Sequence, residues 1–282
     1  NNKDDAGSAG DKKVAVTIGA QDFGESAILA EIYKQGLAAE GFTTSIKTLG
    51  GFRDIELEAF KAKEINFAPE YAASMLEGLN NKKGEATGDV KETAKKLETY
   101  LTPLGLTALT ASEAVDTNAF VVTKATADKY GLKTLSDLAS KGKSLKIGAP
   151  ADCATNPFCL PGLKATYGLD LSKNYTALES GQVADALGAA SIDVGLLFST
   201  AGAIAAKGYV LLEDDKNMLA ADNVLPVVST ELGDNADLLK ATNAITEKLT
   251  TDKLIDMNKA FDIDKEDAAV IAKGFLDDEG LI

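Results

Sequence analysis

Val14-Ala-Val-Thr-Ile18, residues 25–40 and Thr43-Thr-Ser-Ile-Lys-Thr-Leu49 read as strand, helix and strand, and that succession decides the fold class. The first run is compact and apolar, as a buried strand is. Within 25–40, Ile28, Leu29, Ile32, Tyr33 and Leu37 recur on one helical face, and Gly41 stops the helix. Residues 19–24 join the two as a loop. A second helix is predicted over 54–62, and a short strand over 65–68 that ends at Pro69. Strands alternating with helices in this way predict a parallel sheet with covering helices.

The same grammar repeats further along. After a helix at 90–101, strands are expected at 118–123, 145–148, 192–197, 209–212 and 224–228, with helices at 160–167 and 182–189 between them. Three helical stretches close the chain at 235–249, 251–261 and 265–275, without strands of their own, so they should pack back on the first block. That implies two crossover segments, near 108–118 and 214–224. The expected architecture is α/β and two-lobed: residues 14–111 with 221–282 form lobe 1, and 112–220 form lobe 2. Ligands of open α/β sheets sit at the carboxyl ends of the strands, which here becomes a cleft between the lobes.

Composition narrows the function. At 282 residues the chain exceeds the size at which single cores usually stop growing. A net charge of −14 disfavours nucleic acid and anionic lipid as partners. Histidine is absent, which removes Ser-His-Asp and Cys-His catalysis and an ordinary imidazole zinc site. No cofactor or metal is expected. No run of about 18 apolar residues is present to span a membrane. Residues 1–13 are small, polar and charged and read as a disordered tether. That is the expected start of a mature lipoprotein that has lost its signal peptide and lipidated cysteine, and also of a trimmed chain.

Cys153 and Cys159 are the only cysteines and flank a loop containing Pro157. They lack the further ligands a metal needs and the Cys-x-x-Cys spacing of a redox pair. A disulfide is the economical reading and agrees with an oxidising compartment; two unrelated buried thiols are the alternative.

Several segments resemble the substrate-binding proteins of ABC importers for glycine betaine, choline and related quaternary amines. They are Ile18-Gly-Ala-Gln-Asp-Phe-Gly-Glu25, then Leu49-Gly-Gly, Glu58-Ala-Phe and Ile65-Asn-Phe-Ala-Pro-Glu-Tyr71, then 163–168 and Val194-Gly-Leu-Leu-Phe-Ser-Thr200. The similarity runs from 14 to 282. It implies the type II periplasmic-binding fold, lobe closure around a small ligand, and recognition of the closed form by the transmembrane subunits of a permease. An extracytoplasmic, monomeric protein, either held to the cell membrane only by an N-terminal lipid or periplasmic, is the corresponding expectation.

A quaternary ammonium cannot donate a hydrogen bond, so it is held against aromatic faces, worth ~0.5–2 kcal/mol per ring. The resemblance places Phe23, Tyr71 and Phe198 in such a cage. Core packing is the alternative for each, least so for Tyr71, because tyrosine after a proline-terminated strand is poorly placed for a core. Two positions depart from the family pattern. Asn118 stands where many members have a tyrosine, and Asn156 where a related branch has an arginine. Thr200-Ala201 replaces a common Thr-Asp. The asparagines can donate and accept, which suits a neutral polar, phenolic or glycosidic ligand, the alternative to a quaternary amine. Arg53, at a helix start, either meets the ligand or crosses the cleft, or else pairs with Asp54 or Glu56. Glu25 and Glu70 beside the site aromatics are explained equally by ligand contact, capping or interlobe hydrogen bonds. An enzyme on this architecture would need paired carboxylates or a lysine in the cleft, for which no spacing argues; a sensor using the same fold is the third class.

Overall fold

A computed structural model describes residues 14–282; the tether expected over 1–13 lies outside the described residues. Ten strands form two five-stranded sheets. The first sheet contains β1 (Ala15–Ala20), β2 (Thr43–Thr48), β3 (Phe67–Tyr71), β4 (Leu106–Ala108) and β10 (Val224–Ser229), in the order β2-β1-β3-β10-β4. The second contains β5 (Asn118–Val122), β6 (Ile147–Ala149), β7 (Tyr175–Ala177), β8 (Val194–Phe198) and β9 (Val210–Leu211), in the order β7-β6-β8-β5-β9. Each sheet has three parallel strands, then one antiparallel strand, then a short edge strand. In both, the antiparallel strand is the one the chain enters on passing between sheets. Those passages run side by side: Val115 and Asn223 form an antiparallel bridge, and the Asp116 amide donates to the Asp222 carbonyl at 3.1 Å.

Helices α1 (Gly24–Ala39) and α2 (Arg53–Lys61) follow β1 and β2 as the periodicity predicts. The apolar stripe of α1 is buried with Leu238, Ile245, Ile271 and Phe275 of helices Ala236–Thr246 and Ala268–Asp278. Tyr33 and Thr246 share a buried hydrogen bond of 2.7 Å in that layer. The terminal helices therefore do pack back on the first sheet.

Three local expectations are corrected. β1 runs on through Gly19 to Ala20, so the loop after it is shorter. Pro69 does not end β3; the strand continues to Tyr71, with Pro69 opposite Pro226 of β10. The Pro226 carbonyl points away, to Leu109, so neither proline interrupts the β3–β10 ladder. Ala72–Leu79 is a helix and Tyr175–Ala177 a strand, neither of which the sequence pattern placed.

The two halves touch where helix Gly202–Lys207, after β8, lies on helix Thr251–Asp262. A Cβ on Gly202 would sit 2.6 Å from the Lys259 amide nitrogen and 2.7 Å from its Cα. Ile255 of the same terminal helix fills the core beneath Val121 and Ile192 of the other half. Cys153 and Cys159 form a disulfide, fully buried, between β6 and helix Leu160–Tyr167.

Candidate functional site

The carboxyl ends of β1, β2 and β3 each carry one ring: Phe23 and Phe52 in the loops after β1 and β2, and Tyr71 as the last residue of β3. They form a row with Phe23 in the middle, its centroid 6.4 Å from Phe52 at an interplanar angle of 23° and 6.2 Å from Tyr71 at 35°. Tyr71 is the buried base of the row, at 7% exposure, whereas Phe23 and Phe52 are exposed at 36% and 60%. The sequence argument that Tyr71 follows a finished strand therefore fails, since it is a strand residue with its ring packed. Its hydroxyl points inward and donates to Glu25 at 2.5 Å.

Each ring stands one or two residues from a member of a buried polar network. Arg53 donates Nε and Nη2 to the two oxygens of Glu70, at 2.9 and 2.7 Å. Gln21 Nε2 reaches both Glu70 and Glu56, at 2.9 and 3.0 Å. Glu70 also accepts from the Tyr71 amide at 3.0 Å. The Asp22 amide donates to the Gly51 carbonyl at 3.1 Å, tying the Phe23 loop to the Phe52 loop. Arg53 thus pairs with Glu70 across the strand ends, not with Asp54 or Glu56.

On the second sheet, Asn118 lies directly opposite Phe198, which is 60% exposed. Thr200 is buried, and its carbonyl accepts from Asn258 Nδ2 at 2.8 Å; the same amide nitrogen donates to Glu25 at 2.6 Å. Thr200 therefore belongs to the contact between the halves. Asn156 turns its carbonyl on its own disulfide loop, accepting from the Phe158 amide at 2.9 Å. The structure thus gathers Phe23, Tyr71 and Arg53 in one half and Asn118 with Phe198 in the other. Among the described residues, no hydrogen bond or ring contact joins the two groups.

Residues 14–278 match the substrate-binding domain of ABC-type glycine betaine transport systems. The chain belongs to that family. The solved structure of a glycine betaine/carnitine/choline ABC transporter protein superposes with a TM-score of 0.85 at 27% identity, covering 95% of this chain and 99% of the other. The apo form of YehZ from Escherichia coli gives 0.84 at 23% identity, over 95% and 99%. The carnitine transport binding protein of Listeria monocytogenes is 25% identical over 96% of this chain and 88% of its own length. The fold is accordingly the two-lobed type II periplasmic-binding fold, and the protein is an extracytoplasmic substrate-binding component that works with an ABC permease.

In this binding protein the structure brings carboxylates together that sequence spacing did not announce. Burial and the neighbouring Glu70 carboxylate push Glu56 up to about 10. Burial would also raise Glu70, but the Arg53 guanidinium holds it below the ordinary carboxylate range. Both are fully buried, so neither can reach a substrate for acid–base work. Asp116, on the first crossover, is pushed up to about 8 by burial and by Glu25, and its Oδ1 is buried without a hydrogen-bond partner. Burial likewise raises Asp222, on the second crossover, to about 6, although it accepts from the Ser74 amide at 2.8 Å.

These shifts fix a sign. Carboxylates whose folded pKa is raised stabilise the fold fully below their unfolded pKa, and that contribution is lost as pH rises through the folded value. For Asp222, Asp116 and Glu56 the loss spans roughly pH 4 to 10. The melting temperature should be higher near pH 5.5 than near pH 9, and Asp116→Asn should shrink that gap. A melting temperature that rises steadily to pH 9 would contradict the assignment.

Phe52 is the ring that the sequence reading passed over in favour of its neighbour Arg53. An aromatic directly after Gly50-Gly51, at the start of α2, was the available signal. Gln21, Asp116 and Asn258 carried none, because their roles depend on partners 35 to 233 residues away.

Proposed function

We propose that this protein captures a small organic cation of the glycine betaine, choline or carnitine kind and delivers it unchanged to its permease. The observation that carries the reading is the row of Phe23, Phe52 and Tyr71 at the carboxyl ends of three parallel strands, where open α/β folds bind ligands. Aromatic faces suit a cation that offers no hydrogen-bond donor. Phe198 and Asn118 would meet the ligand from the second lobe on closure, with the lobes divided at the 111/112 and 220/221 boundaries. Asn156, on the disulfide loop, and Thr200, at the lobe contact, would shape the cleft rim and the closing movement. The protein acts as a monomer without turnover, held outside the cell membrane by an N-terminal lipid.

A second reading, a neutral polar or phenolic ligand, is favoured by the amide of Asn118 standing beside the exposed Phe198 ring. Titration calorimetry across glycine betaine, choline, carnitine, a phenolic glycoside and a simple sugar separates the two. Binding of a cation, with a smaller radius of gyration in scattering and ligand recovered intact, is the expected result. Binding of the glycoside alone would favour the second reading, and chemical change in any recovered ligand would overturn both.

A further inference from the structure

We infer that Phe52 is a ligand-contacting, specificity-determining wall of the cleft, which turns the site toward organic cations carrying a flat apolar extension rather than toward compact ones. The inference rests on the capture reading above and extends it. Phe52 has no part in the core: it is 60% exposed at the start of α2, and Phe23 is its ring neighbour. Ile55, one turn further along α2, is 45% exposed and continues the same apolar strip. A contiguous exposed apolar patch beside a cleft is the kind of surface that a ligand covers.

The Phe52 ring is also held in place. Its neighbour Arg53 is clamped on Glu70, and Gly51 is bonded to Asp22, so the backbone at Phe52 is tied both to the Phe23 loop and to the end of β3. A compact head such as trimethylammonium is shorter than the row, whose outer rings lie 6.4 and 6.2 Å from Phe23 on either side. A cation with a planar extension would lie along the row and cover Phe52 as well. The charges around the row point the same way. Glu25 and Glu70 lie behind it, and the chain's only arginine has its fork on Glu70, so no guanidinium is left to receive a ligand carboxylate.

The test uses choline and benzyltrimethylammonium as probes, measured by calorimetry on the wild type, Phe52→Ala and Phe23→Ala. Wild type should prefer benzyltrimethylammonium about 10-fold. Phe52→Ala should weaken that cation 10- to 30-fold and choline only about 3-fold, collapsing the preference, while its melting temperature stays near wild type. Phe23→Ala should weaken both probes alike. If Phe52→Ala retains the wild-type preference while Phe23→Ala loses affinity, Phe52 is no wall and the inference falls alone. If wild type binds neither cation, the capture reading falls and takes the inference with it.

Discussion

Replacing Arg53 with methionine should destabilise the protein by about 3–5 kcal/mol, because it leaves a fully buried Glu70 carboxylate without its countercharge. For a chain of this size that is a drop in melting temperature on the order of 10 °C. The effect should be larger at high pH, where Glu70 cannot relieve itself by taking up a proton. Glu56→Gln is the matched control. Burial and the neighbouring Glu70 carboxylate hold Glu56 as the neutral acid, and its Oε1 accepts from Gln21. An amide in that place changes no charge, and the cost should stay below about 1 kcal/mol. Calorimetric melting of the two variants decides the matter. Equal losses would mean that Glu56 is charged and its assignment as the neutral acid is wrong.

The second large effect is on binding. Tyr71→Ala removes the base of the ring row, forfeiting ~0.5–2 kcal/mol of cation attraction, and leaves a cavity. A 1.4 kcal/mol loss is tenfold in affinity, so a fall of roughly 10- to 30-fold is expected for any cation the wild type binds. Tyr71→Phe keeps the face and removes only the hydroxyl that Glu25 accepts from. It should bind within a few-fold of wild type yet melt lower, since a buried acceptor loses its donor at about 1–3 kcal/mol. If both variants lose affinity equally, the Tyr71–Glu25 hydrogen bond and not the ring face is what binding depends on.

The sequence reading succeeded where information is local. The stripe on α1, the glycine stops and the alternation of strands with helices gave the α/β class, and 90–101 coincides with helix Val90–Leu101. The motifs around Phe23, Pro-Glu-Tyr71 and Phe198 then gave the family. Pro69 misled because a proline reads as a strand end, whereas here its missing N–H falls where the β3–β10 ladder needs none. Arg53 was singled out as a lone cation, but its partner could not be chosen from sequence. Glu70 is 17 positions away, and only the adjacency of β3 to the β2–α2 loop brings the two together. The row of rings was two-thirds legible. Phe52 was overlooked because a helix-start aromatic carries no periodic signal of its own.

The seat of helix Gly202–Lys207 on Lys259 bears on how the gene can vary. A methyl group at 202 meets main-chain atoms, which cannot rotate aside as a side chain would, so any replacement must push one half of the molecule off the other. At Gly274, by contrast, an added Cβ meets nothing within 4 Å, and alanine there would even favour the helix. Under selection for uptake, a fully randomised codon 202 should return glycine almost alone, while codon 274 drifts freely.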